Sequence, residues 1–369
     1  MKKNRNPRHG EKTPASMSAL DAISEAQKIA FAPLLFQAAV CLRDFGILAF
    51  LDGRADGETR AAIASACGVS DYGAGVLLDA GLGIGLVEER TGHDGGLRYA
   101  LGKTGHFFLH DRMTRVNTDF VSDVCYRGME HLKEAVATGA PAGLRVFGEW
   151  PTIYQGLSSL PEPARSSWFA FDHFYSDQAF DVALREVFAL SPRPTHIYDV
   201  GGNTGRWALR CVAHDPDVRV TVLDLPQQVA LLRQAVAGQN GADRIDAVPV
   251  NVLEAAELPG EADVWWMSQF LDCFGKEQVT DILRLIRRSM KPDARVCILE
   301  TFCDRQRFPA AALSLNAGSL YFTCMANGNS RFYRATEFGE CVASAGFRVE
   351  REINDIGIGG HTLLVCGRS

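Results

Sequence analysis

The first apolar periodicity in the chain is helical. Over residues 17–51, Ile23, Ile29, Leu34, Leu35, Ala38, Ala39 and Leu42 recur on one broad face, the spacing of a helix that covers an apolar stripe. Gly46 ends the main run, and Pro33 inside it predicts a break or kink. A second helix is expected over 58–66, closed by Cys67 and Gly68, and a third over 71–82. The period then shortens to two: 86–89 and 97–101 read as strands, separated by the turn-rich stretch 91–96. Helices followed by a two-stranded wing predict a winged-helix-like unit over 17–110. Residues 111–190 are again helical, and there Trp168, Phe169, Phe171, Phe174, Tyr175 and Phe180 interleave with Asp172, His173, Ser176 and Asp177. Such an aromatic stripe suits core packing or a pocket wall.

Beyond Pro192 and Pro194 strands and helices alternate. Strands are expected at 196–200, 218–223, 247–252, 264–270 and 295–302, with helices from 207, over 227–237 and over 276–290. That rhythm predicts a parallel, doubly wound α/β sheet across 191–369. The closing runs 347–353 and 361–367, joined by Gly357, Ile358, Gly359 and Gly360, predict a hairpin that gives the sheet an antiparallel edge strand.

A length of 369 residues suits more than one core. The net charge of -6 argues against a broad nucleic-acid footprint, and the third helix has no Lys or Arg with which to read a groove. The wing unit is therefore expected to serve packing or dimerisation. A basic cluster at Lys2, Lys3, Arg5 and Arg8 lies in a Pro- and Ser-containing tail, 1–16, expected to be disordered. Ten cysteines are scattered without a Cys-x-x-Cys pair, so neither a disulfide framework nor a metal is implied. With no secretory signal and no apolar run of about 18 residues, the expectation is a reduced, cytoplasmic protein without a membrane partner.

The chemistry concentrates on the loop Asp199-Val200-Gly201-Gly202-Asn203-Thr204-Gly205, between the first strand and first helix of the sheet. Glycines there let the backbone turn sharply and approach a ligand, and Asn203 tolerates left-handed geometry. A dinucleotide fingerprint, Gly-x-Gly-x-x-Gly, does not fit the loop, and Asp199 would repel a pyrophosphate. An acid at that point suits a cofactor with a cationic amino-acid end. Asp224, about 20 residues on at the end of the second strand, can accept both hydroxyls of a ribose.

Glycine loop, leading acid and trailing acid together resemble the two-domain S-adenosylmethionine-dependent O-methyltransferases of small aromatic molecules, a group with plant phenolic and bacterial polyketide-tailoring members. The resemblance covers nearly the whole chain after the tail. It extends to Phe45-Gly46-Ile47, Leu223-Asp224-Leu225-Pro226 and Ser344-Ala345-Gly346-Phe347. It implies S-adenosylmethionine as cofactor, a homodimer that exchanges N-terminal helices, and an aromatic acceptor between the helical region and the sheet. It also implies cofactor contacts at Asp199, Gly201, Gly202, Asn203, Gly205, Asp224 and Leu225. Asn251 stands where the family has an Asp near the adenine, with Val252 beside it, and Ser268 falls near the sulfonium end.

The family's general base, a His after the fourth strand, is replaced by Asp272. The acid that steadies that His has no counterpart around Arg331, Phe332 and Tyr333, whereas Glu300 matches a family acid. Three routes stay open: Asp272 as a desolvated base, His173 as an imidazole from another element, or catalysis by proximity and orientation. As structural residues, Asp272 would cap the helix over 276–290 and His173 would sit satisfied in a core. Phe171, Tyr175, Tyr321, Phe322 and Met325 are candidate walls for a flat ring, with Asn327 as a polar contact. The expected reaction is methylation of a hydroxyl on an aromatic or polyketide-like acceptor. The alternatives are methylation of a phenolic ring carbon and a non-catalytic, cofactor-binding regulator or scaffold.

Overall fold

The computed structural model describes residues 17–369; the tail over 1–16 lies outside the described residues. The chain parts into two units between Thr118 and Asp119.

In the first unit three helices begin at a residue that satisfies a free backbone donor. Ser18 caps α1 (Ala19–Asp44), Thr59 caps α3 (Arg60–Cys67), which follows the short α2 (Ile47–Leu51), and Ser70 caps α4 (Asp71–Gly83), each by accepting a backbone N–H through its hydroxyl. Gly46 and Gly68 provide left-handed turns at helix ends. α1 continues through Pro33. β1 (Val87–Thr91) and β2 (Leu97–Leu101) pair antiparallel from Val87 opposite Leu101, giving the expected wing. α5 (Lys103–His110) and α6 (Arg112–Phe120) follow. Leu42, Ile47, Leu48, Leu51, Ile63 and Leu78 form the core. The stripe on α1 differs from expectation: only Ala39 and Leu42 of this helix are buried, while Leu20, Ile23, Ile29, Phe31 and Leu34 are 53–76% exposed. The helix outruns the small core that could cover it.

The second unit opens with α7 (Leu132–Thr138), α8 (Ile153–Gly156), α9 (Ala164–Asp177) and α10 (Phe180–Phe188). The sheet follows: β3 (His196–Val200), α11 (Arg206–His214), β4 (Arg219–Asp224), α12 (Pro226–Val236), β5 (Ile245–Pro249), β6 (Val264–Ser268), α13 (Lys276–Ser289) and β7 (Arg295–Glu300). α14 (Pro309–Tyr321), α15 (Ala335–Ser344), β8 (Phe347–Ile356) and β9 (His361–Arg368) complete it. Strand order is β5-β4-β3-β6-β7-β9-β8, with the first five parallel and β9 antiparallel to both neighbours. The hairpin is therefore present, but the reversed strand β9 lies one place in from the edge, covered by β8. Successive residues on β6 point to opposite cores, Trp265 to one and Trp266 to the other, and both are fully buried. Two layers thus sandwich the sheet. The strand order reverses between β3 and β6, which opens a crevice at their carboxyl ends. All ten cysteines are free thiols. Among the described residues, no single helix is long and apolar enough to cross a membrane.

Candidate active site

The loop after β3 is shaped by its own backbone. Gly201 and Gly205 have φ of 74° and 80°, and Asn203 has 51°. A Cβ on Gly201 would overlap the Phe270 ring, and one on Gly202 would come within 2.5 Å of Asp199 Oδ2. Asp224 braces the loop from the end of β4: its Oδ2 accepts the Asn203 N–H at 2.9 Å and its Oδ1 accepts the Leu225 N–H at 2.7 Å. These bonds leave further lone pairs on a carboxylate.

A cavity of about 290 Å³ opens above this loop. Asp199, Gly201, Gly202, Asn203, Asp224, Leu225, Asn251, Val252 and Ser268 all line it, as do His173 and Asn327. Gly205 is set back, at the start of α11, packed near Leu232 and Val236. Sequence reasoning missed Gln228, Arg206, Gln269 and Phe270, which also line the cavity. A signal did exist: the apolar runs expected as strands over 247–252 and 264–270 extend past the ends of β5 and β6. Val250, Asn251, Val252 and Phe270 are apolar or ordered there because they wall the cavity.

Several buried polar atoms face this region without a partner. They include Asp199 Oδ2, Asn203 Oδ1, Gln228 Oε1, Ser268 Oγ, Gln269 Oε1 and His173 Nε2. Unpaired buried polar atoms are costly, and a polar ligand would satisfy them. Burial, reinforced by the negative charge of Asp224, lifts the Asp199 pKa to about 8. Burial also raises that of Asp224, against the two backbone N–H bonds it accepts. His173 moves the other way, down to about 4, because burial and the Arg206 guanidinium disfavour its charged form. Arg206 itself is ion-paired with Asp177.

A smaller recess adjoins the cavity and shares Tyr154, Trp168, Asp172, Gln269 and Cys273 with it. Phe120, Phe171, Tyr321, Phe322 and Phe332 supply its aromatic walls, and Asp272 lines it. Trp168 Nε1 donates to Tyr321 Oη at 2.7 Å, tying α9 to the end of α14. Asp272 does not cap α13. Gly275 occupies that position, its N–H donating to Gln278 Oε1 at 3.0 Å, and Asp272 lies in the preceding turn, Leu271–Cys273. Burial carries the Asp272 pKa up to about 7. Glu300 stands behind this turn: its Oε1 accepts the N–H groups of Phe270 and Leu271 at 3.2 and 2.9 Å, and burial raises its pKa well above the carboxylate range. It lines neither cavity and fixes the turn that carries Asp272.

Two candidate walls lie elsewhere. Met325 is fully buried, its sulfur packed where a Cβ on Gly128 or Gly143 would sit, and Tyr175 is buried beside Phe174 and Gly359; neither lines a cavity. In a continuous helix Met325 would follow the face of Tyr321. The π-helical turn at Phe322–Ala326 adds a residue and rotates it into the core.

A sheet of this order, with a glycine loop after its first strand and an acid closing the second, is the arrangement that holds a nucleoside-bearing cofactor at the carboxyl ends of its strands. The profile of an O-methyltransferase domain matches residues 171–348, and that of a Dimerisation2-like domain matches residues 24–93. The chain thus carries an O-methyltransferase domain preceded by a Dimerisation2-like domain. Mitomycin biosynthesis 6-O-methyltransferase of Streptomyces lavendulae is 29% identical over 155 residues, 42% of each chain. Acetylserotonin O-methyltransferase of Gallus gallus is 25% identical over 300 residues, 78% of this chain and 81% of that one. The solved structure of mitomycin 7-O-methyltransferase superposes with a TM-score of 0.71 at 23% identity, covering 95% of this chain and 98% of that one.

Proposed function

We propose that this enzyme transfers the methyl group of S-adenosylmethionine to a hydroxyl of a small aromatic or polyketide-like acceptor. The observation that carries the reading is the cavity between the β3 loop and Asp224, lined with unpartnered polar atoms. In this reading Asp199 and the backbone of Gly201 and Gly202 face the cofactor's amino-acid end, and Asp224 takes its ribose. Asn251, Val252 and Leu225 border the adenine, and Ser268 lies towards the sulfonium. The sulfonium supplies an activated methyl group, so the protein's task is to hold the acceptor oxygen in line and receive its proton.

Asp272 is the better proton acceptor. A base with pKa near 7 works at neutral pH, whereas His173 near 4 is a weak one. Phe171, Tyr321 and Phe322 flank the acceptor ring, with Asn327 at the mouth; Glu300 positions the turn of Asp272. The exposed apolar face of α1 supports a homodimer in which the winged-helix-like unit is the dimerisation element. Acceptors of this type and ten free thiols fit a cytoplasmic enzyme of secondary metabolism.

Calorimetry with S-adenosylhomocysteine, followed by mass spectrometry of products from a phenol panel, tests the reading. Cofactor binding and a gain of one methyl are expected; no binding would refute it. NMR assignment of the methyl distinguishes oxygen from ring carbon, an alternative that the missing imidazole base favours.

A further inference from the structure

Two side-chain acceptors, the Asp172 carboxylate and Gln269 Oε1, stand at the neck between the large cavity and the aromatic recess. Resting on the methyltransferase reading, we infer that the acceptor molecule carries a protonated amine as well as its hydroxyl, with the ammonium seated at this neck by Asp172 and Gln269. Asp172 lines both cavities, and its Oδ2 accepts one long hydrogen bond, 3.3 Å from Asn203 Nδ2. Gln269 Oε1 is buried with no partner and lines both cavities; its backbone is held at φ 46°, a left-handed geometry that a non-glycine residue adopts at a cost. Tyr154 Oη, also at the neck, is buried without a partner.

No Lys, Arg or His lines the recess among the described residues. The cation nearest in kind, Arg206, lines the large cavity and is engaged by Asp177. A carboxylate with one long hydrogen bond beside an unpaired amide oxygen, with no cation in the recess, calls for a ligand that brings several donors and a positive charge. An ammonium brings three N–H donors, a phenol only one. The aromatic rings that line the recess, Trp168 and Phe171 among them, favour a cation over an anion. Burial, with the charge of Asp177, lifts the Asp172 pKa to about 7, as expected of a carboxyl awaiting its counter-ion. Asp272, whose own shift comes mainly from burial, is left to meet the hydroxyl.

Matched probes test this on the full chain saturated with S-adenosylhomocysteine: tyramine, its neutral analogue N-acetyltyramine, and the anionic 4-hydroxyphenylacetate. Calorimetry should show tyramine binding about 10- to 100-fold tighter than N-acetyltyramine, with the anion weakest. Asp172→Asn should remove that preference while S-adenosylhomocysteine affinity stays within about threefold. Parity between tyramine and N-acetyltyramine, absence of binding by both included, overturns the inference. So does a parallel loss of S-adenosylhomocysteine affinity in the variant, which would assign Asp172 to the cofactor. Should the variant not fold, the comparison in the natural protein still decides. Failure of S-adenosylhomocysteine to bind the natural protein would count against the methyltransferase reading itself; its binding without an amine preference counts against this inference alone.

Discussion

Replacing Asp199 by Asn keeps the shape of the side chain and removes its titration. Folding lifts this carboxyl from about 3.8 to about 8. At about 1.4 kcal/mol per unit, that amounts to something on the order of 5 kcal/mol between the two protonation states. The sign follows from the direction of the shift. The stabilisation is complete below the unfolded value near 3.8, declines as pH rises through the interval up to about 8, and is flat beyond. Asp199→Asn should therefore gain stability relative to the natural protein as pH rises, by about 3–4 kcal/mol more at pH 8 than at pH 5 in cofactor-free urea unfolding. Cofactor binding should move the other way. A cationic amino group facing Asp199 would draw the carboxyl into its charged form, so binding at pH 7 should release roughly 0.9 proton, and the variant none. Calorimetry in buffers of different ionisation enthalpy measures that release directly. The variant should bind S-adenosylhomocysteine about 10- to 100-fold more weakly. A stability difference independent of pH would refute the burial argument, and unchanged affinity the place given to the cofactor's amino-acid end.

Asp272→Asn should lower kcat by about 10²- to 10⁴-fold and abolish a rise in rate as pH passes about 7, while leaving S-adenosylhomocysteine affinity intact. A retained pH profile would return the base assignment to His173 or to orientation alone. Gly201→Ala meets both a left-handed φ of 74° and the Phe270 ring; a loss of about 1–3 kcal/mol in stability and marked loss of cofactor binding are expected from chemical unfolding and calorimetry. Ile23→Asp combined with Leu34→Asp should convert a dimer into single chains by light scattering, since both residues lie on the exposed apolar face of α1. An unchanged mass would place the dimer interface elsewhere.

The alternation of apolar strands and helices closed by glycine made most of the fold legible, because binary period and helix-ending residues are local properties. The cofactor side was legible for the same reason: glycines at positive φ and acids at strand ends are short-range signals. What failed was long-range. Nothing near Asp172 in sequence predicts that Gln269 and Cys273 will share a neck with it, and the extra residue of the π-helical turn carries Met325 into the core. Ile23 and Leu34 carried the pattern of buried residues, yet the folded chain leaves them exposed; their cover has to come from outside the unit's own core.

The close approach of Gly201 to the Phe270 ring bears on how this site can change over generations. The two residues come from different strand ends, and the space that either one gives up is filled by the other. A larger residue at 201 would need a smaller one at 270 and would still carry the strain of a φ of 74°, while a smaller 270 alone would leave a hole beside the loop. The constraint on the pair is therefore unequal. Glycine kept at 201 while 270 varies only among rings of similar size is the trace such a lock would leave in a set of descendants.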